Sequence, residues 1–171
     1  MVSILCIEEK SNYRLIPGLD LWDKDRNAYN FSGGQPVITH APCAQWSRMK
    51  AFARSNKAEK ELAYFCFEQV QKNGGIFEHP SGSSFFRVIN ADRKKIRSVN
   101  QCWWGFPAQK KTLLYFNQVE PLSFPVNFNA VEYMISTPKN KHGRNLPEMK
   151  KAERSLMPLS FCQWLVSHFE I

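Results

Sequence analysis

Between residues 37 and 78 the chain reads as strand, helix, strand, and that order constrains its fold more than any other feature. Val37-Ile38-Thr39-His40 is a short β-prone run behind the turn residues Gly33-Gly34-Gln35-Pro36, and it ends at Ala41-Pro42-Cys43. Asn56 is placed to cap a helix, with Glu59 following as in a capping box. Leu62, Phe65, Cys66 and Val70, spaced at three or four, supply an apolar helix face. Asn73-Gly74-Gly75 stops that helix. Ile76-Phe77-Glu78 reads as the second strand and ends at His79-Pro80. A βαβ unit joins parallel strands through a right-handed crossover. The expected fold is therefore α/β: a mixed, largely parallel sheet with helices on its faces, and strands 37–40 and 76–78 adjacent or nearly so.

Further along, 112–119 reads as a third strand, 150–156 as the start of a helix, and 159–169 as an amphipathic C-terminal helix. The stretch 127–147 mixes Pro, Asn, Gly and Lys and reads as loop. At 171 residues, 43% of them hydrophobic, the chain suits a single domain, 1–171. No run of eighteen apolar residues offers a membrane span, and the first residues lack the basic start of a signal peptide. The expected location is cytoplasmic. Five cysteines, with no Cys-x-x-Cys spacing, argue against a disulfide framework and a zinc site. His40, His142 and His168 are dispersed, so no metal is assigned.

Net charge is +8. It gathers around Arg48, Lys50, Arg54, Lys57 and Lys60, around Arg87, Arg93, Lys94, Lys95 and Arg97, and between Lys139 and Arg154. Basic groups that converge on one face hold phosphates, so DNA is the expected partner. A solvated surface is the plainer alternative.

In open α/β sheets, ligands bind at the carboxyl ends of the strands. Cys43 follows one such end and Glu78 stands at the next. Neighbouring strands lie ~5 Å apart, so thiol and carboxylate would share one crevice, a usable nucleophile and acid. To donate a proton near neutral pH, Glu78 would need desolvating walls, for which Phe77 and Trp46 are placed, while Arg48 or Lys50 would favour the thiolate. The polar residues Gln45, Ser47 and Arg48 argue against Cys43 as a packing residue. A hydrogen-bonded acid that braces the turn is the alternative for Glu78.

Pro42-Cys43-Ala44-Gln45-Trp46-Ser47 resembles the Pro-Cys-Gln-x-Phe-Ser loop of the DNA cytosine-5 methyltransferases. Glu78-His79-Pro80 is similar to their Glu-Asn-Val or Glu-Asn-Pro motif, and the run from Gly105 through Pro107 and Lys110 to Thr112 resembles their Gly-x-Pro-Gln-x-Arg-x-Arg motif. Asp23-Lys24-Asp25-Arg26-Asn27-Ala28 is similar to the stretch that carries their ribose-binding acid. The set is closest to the short methylase-like proteins of phages and prophages, which would put it in the cytoplasm of a bacterial host. The resemblance implies a truncated, Rossmann-like methyltransferase fold, Cys43 attacking carbon six of a flipped cytosine, Glu78 as acid at ring nitrogen three, and S-adenosylmethionine as methyl donor with Asp23 on its ribose. Lys110 matches one arginine of the third motif. Arg48, Lys50, Lys94 and Lys95 join it as candidate phosphate contacts. The family's Phe-x-Gly-x-Gly cofactor loop has no counterpart, Ala41 replaces a proline, Ala44 a glutamine and His79 an asparagine, and the chain has no room for a large target-recognition domain.

Three readings therefore stand: a base-modifying enzyme acting through Cys43, a catalytically silent binding module that engages DNA or a host or phage protein, and a glycosylase-like or nucleotide-processing enzyme. The last would use Glu78 and Ser81-Gly82-Ser83-Ser84, similar to a loop of mismatch-type uracil-DNA glycosylases. Trp103-Trp104 offers either a stacking platform for a base or an anchor to the core.

Overall fold

A computed structural model describes residues 1–47, 56–125, 131–135 and 146–169. Among them, β1 (Ser3–Leu5), β2 (Asp20–Trp22), β3 (Val37–Thr39), β4 (Gly75–Pro80), β5 (Ile96–Asn100) and β6 (Lys111–Asn117) form one sheet in the order β2-β1-β3-β4-β6-β5. β1 pairs in parallel with β2 and β3, and β3 with β4. β6 lies antiparallel between β4 and β5. The helices are α1 (Lys57–Asn73), α2 (Phe85–Val88), α3 (Lys151–Arg154) and α4 (Leu159–Val166). The fold is α/β with a mixed sheet.

The expected βαβ unit is present as β3-α1-β4. Asn56 caps α1 by accepting the Glu59 amide at 3.2 Å. Gly74, with φ +76, ends it. The antiparallel β6 follows from its connection: residues 101–110 form a link built on a 3-10 turn at Gln101–Trp104, short of the dozen residues a parallel return needs. β6 starts one residue before the expected strand and stops at Asn117, where Gln118 turns to φ 57. The expected helix at 150–156 is one turn, α3, and the C-terminal helix ends at Val166. Most of 127–147 lies outside the described residues.

Strand alternation divides the core into two. Ile4, Ile38, Ile76, Leu114 and Phe116 point to one face, under Phe161, Cys162, Leu165 and Val166 of α4. Leu5, Val37, Phe77 and Tyr115 point to the other, under Ala63, Cys66 and Val70 of α1 and Phe85 and Phe86 of α2. Each fully buried large side chain contributes about 1.5–3 kcal/mol.

The chain passes from β1 to β2 over the α4 face, where Tyr13 packs, and returns to β3 over the α1 face, where Ala28 and Phe31 pack. Reversing direction while changing face keeps both crossovers of one hand. It also parts the connections at the carboxyl ends of β1 and β3, where a crevice opens. No helix among the described residues is long and apolar enough to cross a membrane.

Candidate active site

The β3/β4 register pairs Val37 with Gly75, Ile38 with Ile76 and Thr39 with Phe77. One step further it sets His40 beside Glu78. Both positions share the parity of Ile38 and Ile76, so both side chains rise on the α4 face. His40 Nδ1 lies 3.2 Å from Glu78 Oε2, and its Nε2 lies 2.9 Å from the hydroxyl of Tyr13, which is fully buried. Cys43 follows β3 by four residues and begins a 3-10 turn at Ala44–Trp46. Cys43, His40, Glu78 and Lys110 line one cleft of about 360 Å³, walled on the other side by Glu8 and the segment Arg154-Ser155-Leu156-Met157. Glu59, from the first turn of α1, joins the lining.

The turn itself is held from below. His79, wholly buried on the α1 face, lies 2.6 Å from Ser83 Oγ and donates from Nε2 to the Pro42 carbonyl at 3.4 Å. Burial keeps that imidazole below its ordinary value. Gln45 and Trp46 are buried, against the expectation that polar turn residues leave this loop outside the core. Cys43 lines the cleft half-buried.

The electrostatics differ from those expected of a thiolate beside a protonated acid. Burial, and then the charge of Glu78, push the Cys43 thiol up, with Lys110 pulling weakly the other way. Burial alone would raise Glu78, but the hydrogen bond and charge of His40, helped by Lys110 and His79, outweigh it and hold the carboxyl below the ordinary glutamate value. Glu78 thus stands as a carboxylate, an acceptor rather than a proton donor. Phe77 does not wall it, because Phe77 points to the opposite face.

The other expected site residues scatter. Arg48 and Lys50 lie outside the described residues. Lys110 reaches the cleft, but its ammonium donates to the Leu156 carbonyl at 2.9 Å, and burial lowers its affinity for the proton. Lys94 and Lys95 sit before β5, whose Ile96 pairs with Tyr115, so they lie at the opposite end of the sheet from Cys43. Lys95 there binds Asn117 Oδ1 at 2.8 Å. Ser83 and Ser84 brace rather than offer a loop: Ser83 accepts the Phe85 amide, and Ser84 donates to the Trp46 carbonyl at 3.1 Å. Trp104 is buried against Phe161 and Trp164, an anchor and not a platform.

The described residues do not fit S-adenosylmethionine as the resemblance would have it bound. Asp23 follows β2 as expected, but its carboxylate meets Arg14 at 2.6 Å and accepts the Asp25 and Arg26 amides. After β1, where the backbone should approach the cofactor, Cys6 sets its sulfur 3.4 Å from that of Cys66, and Glu8 accepts from Ser155 at 2.9 Å.

Sequence reading missed His40, Tyr13 and Cys162. For His40 the placement comes from the β3/β4 register: the offset of 38 between Val37 and Gly75 is also the offset between His40 and Glu78. The chain matches no family model and no curated protein.

Proposed function

We propose that the protein is a nucleophilic enzyme acting on a base in DNA, resembling the cytosine-5 methyltransferases, with Cys43 as nucleophile and Glu78 holding the base. The observation that supports this reading is convergence. The Pro-Cys turn after β3, the Glu-x-Pro end of β4 and the Lys110 stretch before β6 are separated in sequence, yet all three line one cleft at the carboxyl edge. The parallel strands also run 2-1-3-4, as in one doubly wound order whose switch point lies between β1 and β3, beside that cleft.

A flipped cytosine entering the cleft meets Cys43 from one side and Glu78 at its amidine edge. The Cys43 thiol gives its proton to solvent, and its sulfur bonds to carbon six. The electron pair of the carbon five–six double bond moves to carbon five, where solvent delivers a proton. Loss of the original carbon-five proton then restores the double bond and expels the thiolate. Addition and reversal need no methyl donor, and their net result is exchange of the carbon-five hydrogen with solvent.

The test is release of tritium from DNA labelled at cytosine carbon five. The wild type releases it, Cys43→Ala does not, and Glu78→Gln slows release. A duplex carrying 5-fluorocytosine, mixed with S-adenosylmethionine, separately asks for a denaturant-stable adduct, and calorimetry asks whether the methyl donor binds. The pairing of Asp23 with Arg14 favours a second reading, a methyltransferase-like module that binds DNA or a protein without turnover. DNA binding with neither exchange nor adduct would establish that reading over the first.

A further inference from the structure

We propose that His40 is a positioning residue for the chemistry at Cys43: clamped between Tyr13 and Glu78, it commits Glu78 Oε2 and leaves Oε1 as a hydrogen-bond acceptor in the cleft, so that the cleft takes a base edge carrying an N–H donor. This rests on the base-modifying reading above.

The chain of contacts begins at its buried end. Cys162, on α4, is pushed up to about 12 by burial, so it keeps its proton, and its sulfur accepts from the Tyr13 hydroxyl. Tyr13 is fully buried, with its phenol raised well above the ordinary value, and it too keeps its proton. The Tyr13 oxygen lies 2.9 Å from His40 Nε2. A carboxylate only accepts, so His40 Nδ1 carries a proton and donates it to Glu78 Oε2 at 3.2 Å. The phenol proton serves the Cys162 sulfur, and His40 bridges Tyr13 and Glu78 with one ring nitrogen on each.

Glu78 is the terminal acceptor of this chain. Its Oε1 has no hydrogen-bond partner among the described residues, and its side chain lines the cleft. The other charged and titratable groups around it are Lys110, Cys43, Glu59 and Glu8 in the cleft and His79 beneath the sheet. Lys110 spends its protons on main-chain carbonyls, and His79 is engaged by Ser83 and Pro42. His40 is thus the side chain that sets the direction of Glu78. An acceptor so held takes the exocyclic amine of cytosine. The carbonyl that uracil presents at the same place would set lone pair against lone pair, and leaving buried polar groups unpaired is what makes such sites selective.

Two variants and two measurements test this. His40→Leu removes the donor, and His40→Asn keeps an N–H at the Nδ1 position. The first measurement is the titration of the Glu78 carboxyl carbon by NMR, assigned by its loss in Glu78→Gln, which needs no catalysis. The second is the pH profile of carbon-five exchange on cytosine and uracil in otherwise identical DNA. Glu78 in His40→Leu is expected to titrate about one pH unit higher, so that exchange on the acid limb falls about tenfold at fixed pH. The preference for cytosine over uracil should fall with it, and His40→Asn should restore both. A Glu78 titration that stays in place in a folded His40→Leu overturns the proposal, as does an unchanged cytosine preference. If His40→Leu does not fold, Tyr13→Phe, which removes the partner of Nε2, has to move the same titration upward. A wild type that exchanges nothing while Glu78 titrates as described overturns the base-modifying reading and the selectivity drawn from it, and leaves the clamp itself supported.

Discussion

Gly75 passes so close to Val37 that a β-carbon on it would lie 1.9 Å from the Val37 carbonyl oxygen. Its φ of +129 is also one that other residues rarely adopt. This contact lies at the amino end of the β3/β4 pair, where the register that brings His40 to Glu78 is set.

Gly75→Ala is therefore expected to destabilise the protein by more than ~3 kcal/mol, since both the clash and the backbone strain must be relieved. Urea denaturation gives the number. A loss below about 1 kcal/mol would show that the two strands can part locally without disturbing the sheet.

On the base-modifying reading, the placement of the lysines decides which edge would hold DNA. A second groove, about 850 Å³, adjoins the Cys43 cleft and is lined by Lys110, Lys111, Arg154 and Tyr133. Lys111→Glu is expected to weaken DNA binding more than the double change Lys94→Glu/Lys95→Glu. It should also flatten the slope of log K against log salt by roughly 0.9 for each phosphate that the variant no longer neutralises. Equal effects from the two edges would show that DNA is not held at the cleft.

Cys6 and Cys66 face each other at 3.4 Å between β1 and α1. An approach of roughly 1.4 Å brings the sulfurs to disulfide distance. Treatment with a thiol oxidant such as diamide is expected to remove two hydrogens from this pair and to leave Cys102 and Cys162, both buried, reduced. Peptide mapping of the oxidised protein checks it, and a free Cys6 after oxidation would count against it.

Stability should fall with acid before any carboxylate titrates. His79 binds protons more weakly in the fold than its ordinary 6.5, so below that value the unfolded chain takes up a proton that the folded chain refuses. The contribution is present above 6.5 and is lost as pH falls through the window beneath it. Glu78, also lowered, adds a second loss as pH falls below its ordinary 4.5. Urea midpoints between about pH 7.5 and about pH 5.5 should fall for the wild type and fall less for His79→Gln. Parallel slopes in the two proteins would remove His79 as the cause.

The β3-α1-β4 unit was legible in the amino-acid sequence because its signals are local. A cap at Asn56, a helical apolar period and a glycine stop at Gly74 act over a few residues, and strand adjacency follows from the crossover. The meeting of Cys43 and Glu78 at one crevice was legible for the same reason, since one follows β3 and the other stands near the carboxyl end of β4. β1 and β2, at three residues each, are too short to carry a period and form only because neighbours complete their hydrogen bonds. What tertiary structure alone decided is the chemistry between those residues. Strand register put His40 on Glu78, the turn at Asn12–Leu15 and α4 delivered Tyr13 and Cys162, and those contacts made Glu78 a held carboxylate where sequence called for an acid. The proton affinity of a buried group depends on partners that arrive from distant segments, and no local pattern specifies them.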